Sequence, residues 1–162
     1  MNKKIIFISL LTALLFCSCS KKTLFEESRT FANDTWLRFQ PEQFTVNATS
    51  TDDCYNFNLT ITFDTSRFHG SSLPIMMTLE SPDHETRTLF STIMLRTNQG
   101  AWLGNFDNNG NLVITQQIRQ FYFFNVKGNH SINLSQRTSK YEIHGIKGIN
   151  LKLDKVELEY PE

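Results

Sequence analysis

Residues 54–64 read CYNFNLTITFD, and this stretch decides the fold class. Apolar side chains occupy every second position from Tyr55 to Phe63, with Asn and Thr between them. Because successive side chains of a strand point to opposite faces, this alternation predicts a β-strand with one buried and one wet face. On the same pattern Cys54 falls with Asn56 and Asn58, which predicts a partly exposed thiol.

Further strands are predicted on both sides of this stretch. The segment LPIMMTLE at 73–80 alternates in the same way, and residues 86–95 carry apolar side chains on both faces, which predicts a central strand. The long segment NLVITQQIRQFYFFNV at 111–126 is interrupted at Gln116 and Gln117, which predicts a bulge or a bend. Turn signals separate the strands, and no amphipathic helix is apparent. The sequence therefore predicts an all-β fold, an antiparallel β-sandwich that is jelly-roll-like or, as the alternative, immunoglobulin-like.

The C-terminal pattern changes phase. Apolar residues occupy odd positions at 149–153 and even positions at 156–160. A one-residue slip exchanges the two faces of a strand, so we predict a β-bulge at Asp154–Lys155, with a two-stranded turn as the alternative. Ile143, Ile146 and Ile149 are spaced by three, which predicts a turn of 3₁₀ or α-helix.

The first residues resemble a targeting segment. Lys3 and Lys4 precede the apolar run IIFISLLTALLF at 5–16. A run of this length is too short to span a bilayer, which takes about 20 residues, and fits the h-region of a signal peptide. We therefore predict a lipoprotein signal peptide at 1–18, a lipidated tether at 19–34 and a single β-sandwich domain at 35–162.

The cysteines refine this prediction. Bacterial lipoproteins carry a lipobox, in which mostly small residues precede a cysteine that is acylated. Cys19 follows FCS, whereas Cys17 follows LLF, whose bulky Phe16 disfavours cleavage, so we predict lipid attachment at Cys19. Cys54 is then the one thiol left in the mature chain and cannot form an intrachain disulfide.

Charge and the residues after Cys19 bear on location. The chain has 16 basic and 16 acidic residues, which gives no field to attract nucleic acid. Lys21 and Lys22 stand where an acidic export tag would direct a lipoprotein to the cell surface. We therefore expect an outer-membrane lipoprotein that faces the periplasm and is held by its acyl chains.

Catalytic and metal motifs are weak in this sequence. Four scattered histidines form no HxH or HxxxH pair, so we expect no metal site and no cofactor. DNNGN at 107–111 resembles the start of a calcium loop, but its glycine is misplaced and no closing Glu follows. A tight turn is the favoured interpretation. Asp52–Asp53 and Asp83–Glu85 are adjacent acids in turns, whereas glycoside hydrolysis needs carboxyls set across a cleft.

Aromatic residues suggest a different alternative. Sandwich folds can bind sugars through exposed rings, and the possible platform here consists of Trp36, Trp102, Tyr122 and Phe124. Trp36 and Tyr122 are accordingly a possible ligand or partner surface.

GAWLG at 100–104 carries a family resemblance. A lipobox, the strand YNFNLTITF, the strand LFSTIML, this G-x-W-x-G turn and the late segment IHGIKGINLKL occur in the order found in the gliding motility lipoprotein H (GldH-type) family of Bacteroidota. The chain resembles that family over residues 13–158, although Asn105 and Phe106 stand where the family has a second glycine. The resemblance implies a non-enzymatic lipoprotein associated with gliding motility and type IX secretion. Gly100, Trp102 and Gly104 are expected to be structural, with Trp102 closing one end of the sandwich.

Two functions follow as expectations. The first is a lipid-anchored, non-catalytic envelope protein that acts by protein–protein contact. The alternative is a carbohydrate-binding lipoprotein. A flat polar face with an unpaired edge strand would favour the first, because an edge strand can accept a strand from a partner. A row of exposed aromatic rings on one sheet would favour the second.

Overall fold

The structure of the protein, a computed structural model, describes residues 23–158. Within this range a single 3₁₀ turn lies at Ala32–Asp34, and the other elements are β-strands. In chain order the strands are β1 (Thr23–Thr30), β2 (Thr35–Leu37), β3 (Glu42–Ala48), β4 (Cys54–Phe63), β5 (Ser72–Glu80), β6 (Thr86–Met94), β7 (Asn105–Phe106), β8 (Leu112–Phe123), β9 (Gly128–Gln136), β10 (Glu142–His144) and β11 (Ile146–Val156).

The strands form two main antiparallel sheets, with orders β1-β11-β4-β8-β7 and β3-β9-β5-β6. Among the eight long strands, first pairs with last, second with seventh, third with sixth and fourth with fifth. This nested pairing is that of a long hairpin rolled into two sheets, which is a jelly roll. The predicted jelly-roll-like sandwich is confirmed, and the immunoglobulin-like order, with its ABED and CFG sheets, is not the one observed.

The core lies between the sheets. The apolar face of β4 is fully buried, as its alternation predicts, and it packs against residues of the opposite sheet. Among the largest buried side chains are Trp36, Phe44, Phe57, Phe63 and Phe124. Burying each large apolar side chain contributes about 1.5–3 kcal/mol. Cys54, the cysteine within residues 23–158, is free, so this cluster holds the described domain together.

The tether predicted for residues 19–34 is wrong from Thr23 onward, because Thr23–Thr30 form β1 at the edge of the five-stranded sheet. Leu24 is an extra residue in the ladder, since Thr23 lies opposite Asp154 and Phe25 opposite Leu153. This bulge breaks the alternation that would have revealed the strand. The Phe25 ring packs edge-on against Phe44 at 6.1 Å between centroids.

The prediction that residues 86–95 form a central strand is also wrong. β6 pairs with β5 and ends the order of its sheet. Its outward apolar side chains are exposed, with Phe90 at 72% and Met94 at 47%. β6 thus has apolar residues on both faces although it is an edge strand, and its outer face is exposed to solvent.

The predicted irregularities lie at other positions. The β11–β4 register is unbroken from Gly148 to Val156, so there is no bulge at Asp154–Lys155; the shift lies between Ile146 and Gly148. The bulges of β8 fall just after Gln117, within residues 117–122.

Ile143, Ile146 and Ile149 form no helical turn. Ile143 belongs to β10, and the other two belong to β11. Gly145 joins the two strands at φ +83°, a conformation that glycine adopts readily. The spacing of three therefore comes from a bend followed by a bulge.

Candidate partner-binding surface

The predicted aromatic platform is not at the surface. Trp36, Tyr122 and Phe124 are 1%, 4% and 0% exposed. Trp36 stacks on Phe31 at 5.1 Å, and the Tyr122 ring meets Phe57 edge-on at 5.3 Å. The assignment of Trp36 and Tyr122 to a ligand or partner surface is therefore wrong. Tyr122 and Phe124 alternate along the chain and lie on the buried face of the sandwich, so they pack in the core.

The GAWLG segment is a packed turn. Arg96 lies over the half-buried Trp102 ring, 3.4 Å from its centroid, and its guanidinium donates to the Gly100 carbonyl at 2.8 Å. Gly100 has φ +86°. Gly104 serves a different need, because a Cβ there would lie 2.4 Å from the Val113 carbonyl oxygen. The arrangement is that of a structural motif in which a cation and a ring fix a turn.

The DNNGN segment is a turn closed by its own backbone. Asp107 Oδ1 accepts hydrogen bonds from the backbone N–H groups of Asn109 at 2.9 Å and Asn111 at 2.8 Å. These bonds lower the pKa of Asp107, led by the Asn111 side chain. The carboxylate is thus satisfied by donors within the turn. In the part of the chain that the structure describes, no group of three or more His, Cys, Asp or Glu side chains could hold a metal ion.

A cleft of about 810 Å³ lies beside β10. Of the described side chains that line it, Glu142 alone is acidic, so it lacks the carboxylate pair of a glycosidase. His144 contacts Glu142 at 3.4 Å and Thr35 Oγ1 at 2.9 Å. The Thr35 hydroxyl donates its proton to the Asn33 carbonyl at 3.0 Å, so it can only accept from His144. This arrangement does not activate Thr35 as a nucleophile.

The outer face of the five-stranded sheet is polar. The side chains that cover its centre bond to one another, as in Thr60 Oγ1 with Thr115 Oγ1 at 2.7 Å and Asn150 Nδ2 with Ser28 Oγ at 3.0 Å. These neutral groups hydrogen-bond mainly across neighbouring strands. The polar character of this face is one of the features that we named as favouring partner binding.

The edge strand β6 offers unpaired backbone groups. Met94 lies opposite Ser72, and the flanking Leu95 N–H donates to the Ser71 carbonyl at 2.9 Å. In an antiparallel ladder this bond marks Met94–Ser72 as a non-hydrogen-bonded pair. Met94 and every second residue before it, back to Thr86, therefore turn N–H and C=O away from β5. Gln116 Nε2, which donates to the Thr92 carbonyl at 3.2 Å, confirms this direction.

Cys19 lies outside the described residues. Between residues 23 and 158, the structure contains no helix with the length and apolar character needed to cross a membrane.

Fold and surface together define an all-β jelly-roll protein in which β6 is an edge strand with outward-facing backbone groups. The model of the GldH lipoprotein family matches residues 23–153, and the chain belongs to that family. Neither the curated proteins nor the solved structures contain a match to this chain.

Proposed function

We propose that this protein is a lipid-anchored, non-catalytic component of the cell envelope that acts by protein–protein contact in a gliding-motility or type IX secretion assembly. The chain belongs to a family of lipoproteins, and its resemblance to that family implies a role in gliding motility. The lipobox supports acylation at Cys19. Since one acyl chain binds a membrane only marginally, the several chains of a bacterial lipoprotein are what make attachment stable.

The single observation that supports a function by protein–protein contact is the exposed edge of β6. It presents unpaired backbone groups and exposes Phe90 and Met94. Extended partners add to such an edge through main-chain hydrogen bonds. The 810 Å³ cleft, by contrast, gathers mixed charges without an activated nucleophile or paired acids.

We place the domain on the periplasmic side of the outer membrane. Lys21 and Lys22 follow the acylated cysteine, in place of an acidic surface-export tag. Protease added to intact cells should therefore leave the protein whole, and should degrade it once the outer membrane is permeabilised. Degradation in intact cells would place the domain on the cell surface instead.

Purification from crosslinked membranes tests the proposed assembly. The full chain, tagged after residue 162, is crosslinked mildly in membranes of a gliding bacterium and purified under denaturing conditions. We expect motility or secretion components to co-purify, and to be lost from a Cys19→Ala control that is no longer anchored. Recovery of glycan-processing proteins alone would overturn the proposal.

A further inference from the structure

The edges of the sandwich differ in how they are protected. Exposed strand edges invite pairing with other chains, and proteins block them with charges. β1 carries Glu26, Glu27 and Arg29. Arg29 also donates to the Gln43 carbonyl of β3 at 2.9 Å. Arg119 lies on β8, which β7 covers only at Leu112 and Val113, so the rest of β8 is an edge. Each of these three edges therefore has a charged side chain along it.

The β6 edge lacks this protection. From Thr88 to Met94 the strand contains no charged residue. Its one charge, Arg87, lies near the start of the strand and is paired with Glu85 at 3.0 Å. Thr88, Phe90, Thr92 and Ile93 are of types that favour extended structure, so this segment has the composition of a strand that pairs.

We infer that the β6 edge binds the β6 edge of a second copy of this chain, antiparallel and centred on Phe90. This inference rests on the proposed function, in which the β6 edge is a contact surface, and it identifies the binding partner as a second copy of the chain. The residues that turn N–H and C=O outward are the even-numbered ones. Centring on Phe90 pairs even with even, so every outward group meets a partner.

The side chains fit this register. Phe90 lies beside its own copy, Thr88 opposite Thr92 of the second copy, and Thr86 opposite Met94 of the second copy. Aromatic pairs and Thr–Thr pairs across strands are stabilising, whereas like charges directly opposite are not. The two Arg87 side chains start about 20 Å apart along the strands, well beyond the Debye length of about 8 Å.

The existing contact of Gln116 is compatible with this pairing. A carbonyl oxygen has two lone pairs, so Thr92 can accept from both Gln116 and the second copy. The two four-stranded sheets would then form one continuous sheet of eight strands.

Cysteine crosslinking tests the register in the full, membrane-anchored chain. Residues in a hydrogen-bonded antiparallel pair have Cα atoms about 5.5 Å apart, within disulfide range. Phe90→Cys treated with diamide should therefore give a band of twice the mass on a non-reducing gel. Thr88→Cys alone should not, because its copies lie about 13 Å apart along the strands. Thr88→Cys co-expressed with Thr92→Cys should crosslink again.

Two controls separate register from chance collision. The unmodified chain, which keeps the buried Cys54, should give no doubled band. Thr45→Cys on β3 is also exposed at a sheet edge and should not crosslink.

A second measurement does not depend on thiols. Two differently tagged full-length copies should co-purify in detergent, and Phe90→Lys should lower the recovered partner copy at least tenfold. Thr45→Lys should leave recovery unchanged. Because Phe90 is 72% exposed, Phe90→Lys should keep the melting temperature of the protein within about 2 °C in dilute samples.

The outcomes distinguish this inference from the proposed function. Disulfides in all three single variants, or none with Phe90→Cys, overturn the inferred register. A Phe90-dependent crosslink to a different protein overturns the second copy as occupant but leaves the contact function standing. If neither a crosslink nor co-purification is observed, both the inference and the role of β6 as a contact surface are wrong. Membership of the assembly is then decided separately, by the purification from crosslinked membranes.

Discussion

The Cys54 side chain is 2% exposed, although the alternation of β4 predicts a partly exposed thiol. It lies at the first position of β4, where Phe123 and Val156 on the neighbouring strands flank it. Alternation assigns a face, but it does not report what covers that face at the end of a strand. The thiol is therefore shielded from reagents by its neighbours.

The first prediction concerns this thiol. Desolvation by burial raises the pKa of Cys54. Because the folded chain holds the proton more tightly than the unfolded chain, its contribution to stability is complete below the unfolded pKa of about 8.5 and declines as pH rises through the folded value. The melting temperature should fall between pH 8 and pH 10.5, and the fall should be smaller in Cys54→Ala. An equal fall in both proteins would show that the thiol plays no part.

The second prediction compares the two tryptophans. Trp36 is buried against Phe31, so Trp36→Ala should cost about 3–5 kcal/mol of unfolding free energy. Trp102 is half-buried and held by Arg96, so Trp102→Ala should cost about 1–3 kcal/mol. Urea unfolding of both variants measures the difference. A larger loss for Trp102→Ala than for Trp36→Ala would contradict these assignments.

At the scale of elements, the attachment of β1 depends on Gly148. A Cβ at Gly148 would lie 2.4 Å from the Arg29 carbonyl oxygen, which belongs to the backbone of β1 and cannot rotate away. Gly148 thus allows the first strand to approach the last. The residue pattern at 23–30 gives no hint of this close approach, because it depends on the missing side chain of Gly148, which is distant in sequence.

The third prediction tests this attachment. Gly148→Ala should loosen β1 and accelerate amide hydrogen exchange across residues 25–30 by at least tenfold, while β9 stays protected. Gly110→Ala is the matched control, since its Cβ would meet nothing within 4 Å and its strain at φ +76° is confined to a turn. Unchanged exchange in β1 of Gly148→Ala would show that the sheet accommodates the methyl group.

Element types were predictable where one face is buried along a strand, as in β4 from Tyr55 to Phe63 and in β5, where burial alternates strictly. They were not predictable for the edges. β1 is charged and bulged, and β6 is apolar on both faces, so neither shows which of its sides has a neighbour. The phase change near residue 154 shows the same limit, because Val156 and Leu158 after it are only half-buried, whereas Leu151 and Leu153 before it are fully buried.

At the scale of the molecule, sequence analysis predicted the sandwich and preferred the jelly roll, but it could not show the pairing of the strands. That pairing joins residues as distant as Thr23 and Asp154, and no local signal reports it. The candidate site was missed for a related reason. The predicted rings at Trp36 and Tyr122 fill the core, and the exposed edge of β6 is defined by the absence of a neighbouring strand rather than by a motif.

The last prediction concerns the anchor of the whole molecule. The core of residues 23–158 is closed by β1 pairing with β11, so the domain should remain folded without its acyl chains. Cys19→Ala should therefore move the protein from the membrane to the soluble fraction without changing its melting temperature by more than about 2 °C. Cys17→Ala, its matched control, should stay in the membrane, because Phe16 disfavours cleavage before Cys17. If Cys19→Ala remained in the membrane and Cys17→Ala did not, lipid attachment would have to be reassigned to Cys17.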